Sequence, residues 1–233
     1  RALAAAGKTT RYTAYYFPAH EYLLGPAPLY TTGLAVLAAD DLVVDRHNAH
    51  EPHEITYRRT RALGWLKQSR VCAHVRLRDR RGQALDVFNT HLSLPAFASP
   101  TFWKRGQPRL GYGPNQAVEL DTLLDFVDRT RHGEAFVIAG DFNALPDSPV
   151  YSRLLERTGA RDPFPAAVGL SALALREAWP SAGFWKLRMR LDHVFIGPGL
   201  ECLDFADTDP FGKPGRWHGL SDHVPLVGRF RRL

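Results

Sequence analysis

Residues 135–140 read AFVIAG, six apolar or small residues with no polar one among them. The run is too short for a stable helix, and it has no alternation that would leave one face in water. A strand covered on both faces suits it. The segments VCAHVRLR (71–78) and ALDVFNTHL (84–92) read as a hairpin, turning at Asp79, Arg80, Arg81 and Gly82. YTAYYF (12–17), GLAVLA (33–38), LDHVFIG (191–197) and HVPLVGRF (223–230) read as further strands. NQAVELDTLLDFVDRT (115–130) places Val118, Leu120, Leu123, Leu124 and Val127 on one helical face, with Asn115 as its N-cap. SPVYSRLLERTG (148–159) is a second helix, with Ser148 at the N-cap, Pro149 in the first turn and Gly159 past its end. Strands outnumber helices and most are too apolar to face solvent. Stacked sheets covered by helices are therefore expected.

The chain has 233 residues, 45% of them hydrophobic, enough to bury a substantial core. It shows no internal repeat and no low-complexity segment, so one domain over 1–233 is expected. No apolar run is long enough to suggest a membrane-spanning helix. The net charge of +6 and a pI near 9.5 suit a polyanionic partner, though a solvated basic face would give the same balance. Cys72 and Cys202 have no metal-ligand spacing and are expected in strands as small buried residues.

Polar residues collect where the apolar runs stop. His91 ends FNTH, Asp141 and Asn143 follow VIAG, Asp192 opens DHVFI, and Asp222 and His223 precede VPLV. Strand ends gathered at one rim hold side chains in fixed positions. Carboxylate and amide oxygens suit hard cations, and a His oriented by an Asp is an acid–base or phosphate-contacting unit. There is no Gly-rich phosphate loop, no GxSxG elbow and no HExxH pair. Taken singly, each residue has a plainer reading: Asp141 and Asn143 as turn residues, His91 as a core histidine, Asp222 as a cap. His47, His50 and His53 recur every three residues, but Pro52 disfavours a helix there, and a solvated loop is expected.

Taken together and in this order, FNTHL, GDFN, RLDHVFI and SDHVPL resemble the sequential motifs of the endonuclease/exonuclease/phosphatase superfamily. The matched span runs from about Gly33 to Phe230. The resemblance implies an α/β fold, a four-layer α/β/β/α sandwich of two mostly antiparallel sheets flanked by helices. It implies hydrolysis of phosphate esters with Mg²⁺, or Mn²⁺ or Ca²⁺ in its place. By position it implies that His91 contacts the scissile phosphate and that Asp141 orients the attacking water close to metal. Asn143 would hold phosphate or water, Asp222 would be a metal-site carboxylate, and His223 would contact phosphate, oriented by Asp192. Arg70 lies where the nuclease branch has a substrate arginine. The family's opening motifs, a strand ending in Asn and another ending in Gln-Glu, are not visible. The expectation is a domain that is N-terminally incomplete.

The catalytic motifs do not choose among phosphate esters, so the choice falls to the connections. Three are aromatic and basic: 95–114, 179–190 and 208–220. They offer Trp103, Lys104 and Arg105, then Trp185 and Arg188, as substrate contacts beside Arg70. Aromatics interleaved with cations stack bases and pair phosphates, which favours nucleic acid and a nuclease. A phospholipid or inositol-phosphate phosphodiesterase or phosphatase stays open, as does a catalytically silent polyanion-binding module of the same fold.

Overall fold

The computed structural model describes residues 11–57, 68–95, 110–184 and 186–233. At its centre is a six-stranded sheet of β3 (Val43–His47), β4 (His53–Glu54), β5 (Val71–Arg78), β6 (Ala84–His91), β7 (Phe136–Asp141) and β10 (Asp192–Ile196). The spatial order is β10-β7-β6-β5-β3, with β4 also on β5. Every pair is antiparallel except β6 and β7, which run parallel. A parallel pair needs a crossover, and α1 (Pro114–Thr130) supplies it.

One face of the sheet is covered by α1 and α2 (Pro149–Thr158). Leu120, Leu123, Leu124 and Val127 of α1 and Leu154 of α2 are fully buried against Cys72, Phe88, Phe136, Ile138 and Phe195. Each such side chain contributes about 1.5–3 kcal/mol. The other face carries the hairpin of β1 (Tyr12–Leu24) and β2 (Ala27–Ala39), whose Phe17, Leu34 and Val36 pack on Ala73, Val75 and Leu77. Helix, central sheet and the β1–β2 sheet thus stack in the expected order. Past the β10 edge, α3 (Phe164–Val168) and α4 (Ala172–Ala178) close a separate cluster with the β11 (Leu200–Asp204) and β12 (Arg229–Arg232) pair. The short hairpin of β8 (Ala182–Phe184) and β9 (Leu187–Met189) precedes β10. Among the described residues no helix is long and apolar enough to cross a membrane.

The second helix follows its sequence signals. Ser148 accepts from the Tyr151 N–H, Pro149 sits in the first turn, and Gly159 ends the helix at φ 67°. The first does not: its cap is Gly113, Pro114 opens it, and Asn115 is its second residue, with its amide donating to the Leu94 carbonyl. A proline preset at φ near −65° takes the first helical position, which leaves Asn115 inside. The strand expected over 223–230 starts only at Arg229 and runs to Arg232; Pro225 has no N–H to donate to a ladder. The stretch 46–54 is not a solvated loop throughout. His47 ends β3 and lies against Tyr15, and His53 on β4 stacks on Phe126. Both cysteines lie in strands as free thiols, Cys72 buried and Cys202 half-buried.

Candidate active site

Strand register builds the site. β6 and β7 run parallel and place His91 beside Asp141. β10 runs against β7 and places its first residue, Asp192, beside Asp141 from the other side. Adjacent strands lie about 4.8 Å apart, so three side chains form one row across three strands. Parallel β6 and β7 both end in the row, which puts it at their carboxyl ends.

Gly140 makes the register attainable. Its φ is 141°, and a Cβ there would lie 1.9 Å from the Thr90 carbonyl oxygen of β6. Only a residue without a side chain lets β7 approach β6 this closely. The chain then turns sharply at Asn143, with φ 45°. The Asn143 N–H donates to Asp141 Oδ1 at 2.8 Å, an Asx turn that fixes the carboxylate. The Asn143 side chain faces inward, its Nδ2 donating to the Leu92 carbonyl at 2.9 Å. Buried Gln116 of α1 donates to the Asn143 carbonyl and accepts from Gly111 and Gly113, holding the turn from below. The turn reading of Asn143 is therefore part of how the site is made.

His223 completes the row from outside the sheet. Its segment bridges to Ala182 of β8, with the Gly183 N–H donating to Asp222 O and the Val224 N–H to Ser181 O. The His223 Nδ1 lies 2.8 Å from Asp192 Oδ2, and the His91 Nε2 lies 3.3 Å from Asp141 Oδ2. Fully buried Ser181 ties the two halves together. Its hydroxyl oxygen accepts from the Leu191 and Asp192 N–H groups at 2.9 and 3.0 Å. Ser181 carries no local sequence signal, whereas Gln116 has one: it is the third residue of α1 and accepts from the Gly113 N–H at the helix cap.

The charges are set by this geometry. Asp192 bonded to the His223 imidazole pushes it up to about 9. Burial, and then the nearby Asp192 charge, push Asp141 up to about 6. Burial, then Arg70 and His223, push His91 down to about 4. At neutral pH the row therefore holds a cationic His223, a neutral His91, and Asp141 near its own titration point, where a general base works best.

Arg70 precedes β5, and its field reaches both His91 and Asp141. Its Nε is buried without a hydrogen-bond partner among the described residues, beside a cavity of about 240 Å³ that His91 and the β2 residues Thr32 and Gly33 also line. Arg188 lies on β9, exposed, its guanidinium over Phe211. Trp103, Lys104, Arg105 and Trp185 lie outside the described residues.

A Mg²⁺-type cation takes oxygen ligands, with one or two carboxylates the usual protein share. In this row Asp192 is taken up by His223, and Asp141 has the positive charges of His223 and Arg70 as neighbours. Asp222 is exposed outside the row and accepts from the Ser221 hydroxyl. Among the described residues no group of three or more His, Cys, Asp or Glu is placed to hold a metal ion. The donor set described does not fit such an ion. What the row supports by itself is acid–base chemistry on an anion.

The sequence matches the model of the Endonuclease/Exonuclease/phosphatase family over residues 1–223. No curated protein matches it. Among solved structures, the catalytic domain of human Nocturnin with a bound sulfate anion is similar with a TM-score of 0.65 at 17% identity, over 100% of this chain and 75% of that one. An endonuclease/exonuclease/phosphatase from Bacteroides vulgatus gives 0.61 at 13%, over 95% and 77%. The mannosyl-6-phosphatase Bt3783 of Bacteroides thetaiotaomicron gives 0.55 at 14%, over 85% and 71%. At these identities the likeness is one of fold.

Proposed function

The chain belongs to the endonuclease/exonuclease/phosphatase family, hydrolases of phosphate esters, and from that premise we propose that the row of His91, Asp141, Asp192 and His223 hydrolyses a phosphodiester of nucleic acid. The observation that carries the reading is the row itself: His91, Asp141 and Asp192 stand in register on three strands, with His223 2.8 Å from Asp192. It sets a carboxyl raised to about 6, Asp141, near an imidazole raised to about 9, His223. Asp141 takes a proton from water as the water oxygen bonds to phosphorus. The ester P–O bond breaks on the opposite side, and the alkoxide leaves with a proton from the His223 Nε2. Asp192 holds the other nitrogen, which fixes the ring and keeps it charged. His91, neutral, donates to a non-bridging oxygen, where charge builds in the transition state. Arg70 supplies a further positive charge to the anion.

Nucleic acid is favoured by the net charge of +6, which suits a polyanion. The sulfate held by the human Nocturnin domain is a tetrahedral oxyanion of phosphate size, consistent with such a group binding this fold. Members of the family generally use divalent metals, so the assay is run both with MgCl₂ and with a chelator. The purified chain is offered bis(p-nitrophenyl) phosphate, single-stranded DNA and RNA. Turnover of the diester that H223A reduces by at least about a hundredfold supports the reading. Polyanion binding with a steep salt dependence and no turnover of any ester would make the chain a binding module instead.

A further inference from the structure

Arg190 was expected on a basic connection, but it is buried. Only 1% of it is accessible, and it is the largest fully buried side chain among the described residues. Its guanidinium carbon lies 3.9 Å above the Phe164 ring. Its Nε and Nη2 have no hydrogen-bond partner among the described residues. A desolvated cation bonded this sparsely needs compensation from nearby charge.

Two carboxylates supply it. Asp162 lies beside Arg161, which pairs with Ile196 along the free edge of β10. It is buried and accepts from the Tyr151 hydroxyl at 3.2 Å and the Phe164 N–H at 2.9 Å. Asp192 is the other, two residues along the chain. Arg190 lies between β9 and β10, and Val194 of β10 packs in the cluster that holds Phe164. Both carboxylates act on the Arg190 charge. Charges then alternate in order from the protein interior to the row: Asp162, Arg190, Asp192, His223.

We propose that Arg190 is a positioning residue, a buried guanidinium that holds the Asp192 carboxylate aimed at His223. It touches neither substrate nor the reacting atoms and acts only through Asp192. The proposal rests on the hydrolase reading for its catalytic consequence. Its structural content stands apart from that reading.

The test compares R190M, R190Q and R190K with the wild type in three measurements: melting temperature, kcat and KM on bis(p-nitrophenyl) phosphate, and the His223 Nδ1–H proton resonance, which reports the bond to Asp192. Both neutral variants are expected to lose at least about tenfold in kcat, with KM changed by less than about threefold, and to shift or broaden the resonance. R190K restores the resonance and part of kcat. A residue that only filled the core would lower the melting temperature and leave the resonance in place. A folded neutral variant with wild-type kcat and an unmoved resonance overturns the proposal. If neither neutral variant folds, R190K decides, and loss of the His223 resonance with the charge retained overturns it. If the wild type hydrolyses no ester, the hydrolase reading fails, and the resonance still tests Arg190.

Discussion

Asp192 Oδ2 and His223 Nδ1 lie 2.8 Å apart across 31 residues of chain, one on a sheet strand and the other on a segment held to β8. The bond raises the His223 pKa to about 9 and so keeps the imidazole charged through the neutral range. Replacing Asp192 with Asn removes the largest cause of that rise. In D192N the His223 titration, followed by NMR, falls toward the ordinary 6.5. The alkaline limb of the kcat/KM profile moves down with it. An unchanged titration would mean that Asp192 does not set the charge.

Asp141 imposes a cost on the fold. Its carboxyl titrates near 6 in the folded chain against an ordinary 3.8. The neutral form therefore favours the fold, fully below about pH 4, and the advantage is lost as pH rises through about 6. At pH 8 the wild type carries the desolvated charge, and D141N does not. D141N is expected to be more stable at pH 8 by about 1–3 kcal/mol in urea denaturation, and to lose that gain at pH 4. Equal stability at both pH values would show that the carboxylate is better solvated than its position implies.

Gly140 is predicted to be intolerant of any side chain. In G140A the new Cβ meets the Thr90 carbonyl at 1.9 Å in a backbone conformation that L-residues avoid. β7 must draw away from β6, and His91 and Asp141 part. The expected cost is about 2–4 kcal/mol in denaturant unfolding, with loss of hydrolysis. A wild-type midpoint would contradict the close approach.

Ser181 has a measurable role despite lying off the row. S181A leaves the buried Leu191 and Asp192 N–H groups without their shared acceptor. About 1–3 kcal/mol of stability should be lost for each donor stranded. Amide exchange at Asp192 should accelerate as the start of β10 loosens. Unchanged exchange would mean the hydroxyl is not what holds that strand end.

Much of the fold was legible where the chemistry is local. Ser148, Pro149 and Gly159 mark a helix by capping and backbone preference alone, and all three sit where those preferences put them. β5 and β6 follow their apolar patterns and turn at Asp79 to Gly82. The end-of-strand positions of His91, Asp141 and Asp192 were legible for the same reason. Their alignment was not, because register between β6, β7 and β10 depends on partners distant in sequence. Arg190 shows the same limit: its type suggests a surface, and only packing against Phe164, with the charges of Asp162 and Asp192 acting on it, explains its burial. The apolar stretch VPLV looked like a strand, and Pro225 was the local sign against it. The expectation for Asn143 was a phosphate or water contact, and what its neighbours in sequence did not reveal is that it also shapes the turn presenting Asp141.

The central claim is that Asp141 and His223 act as a base and acid pair on a phosphate ester. The most direct test is the pH dependence of kcat/KM on bis(p-nitrophenyl) phosphate for the wild type beside D141N. A bell with limbs near 6 and 9 is predicted for the wild type, from Asp141 losing and His223 keeping its proton. D141N should fold, lack the acidic limb, and fall at least about a hundredfold in rate. A folded D141N with the wild-type profile and rate would contradict the account.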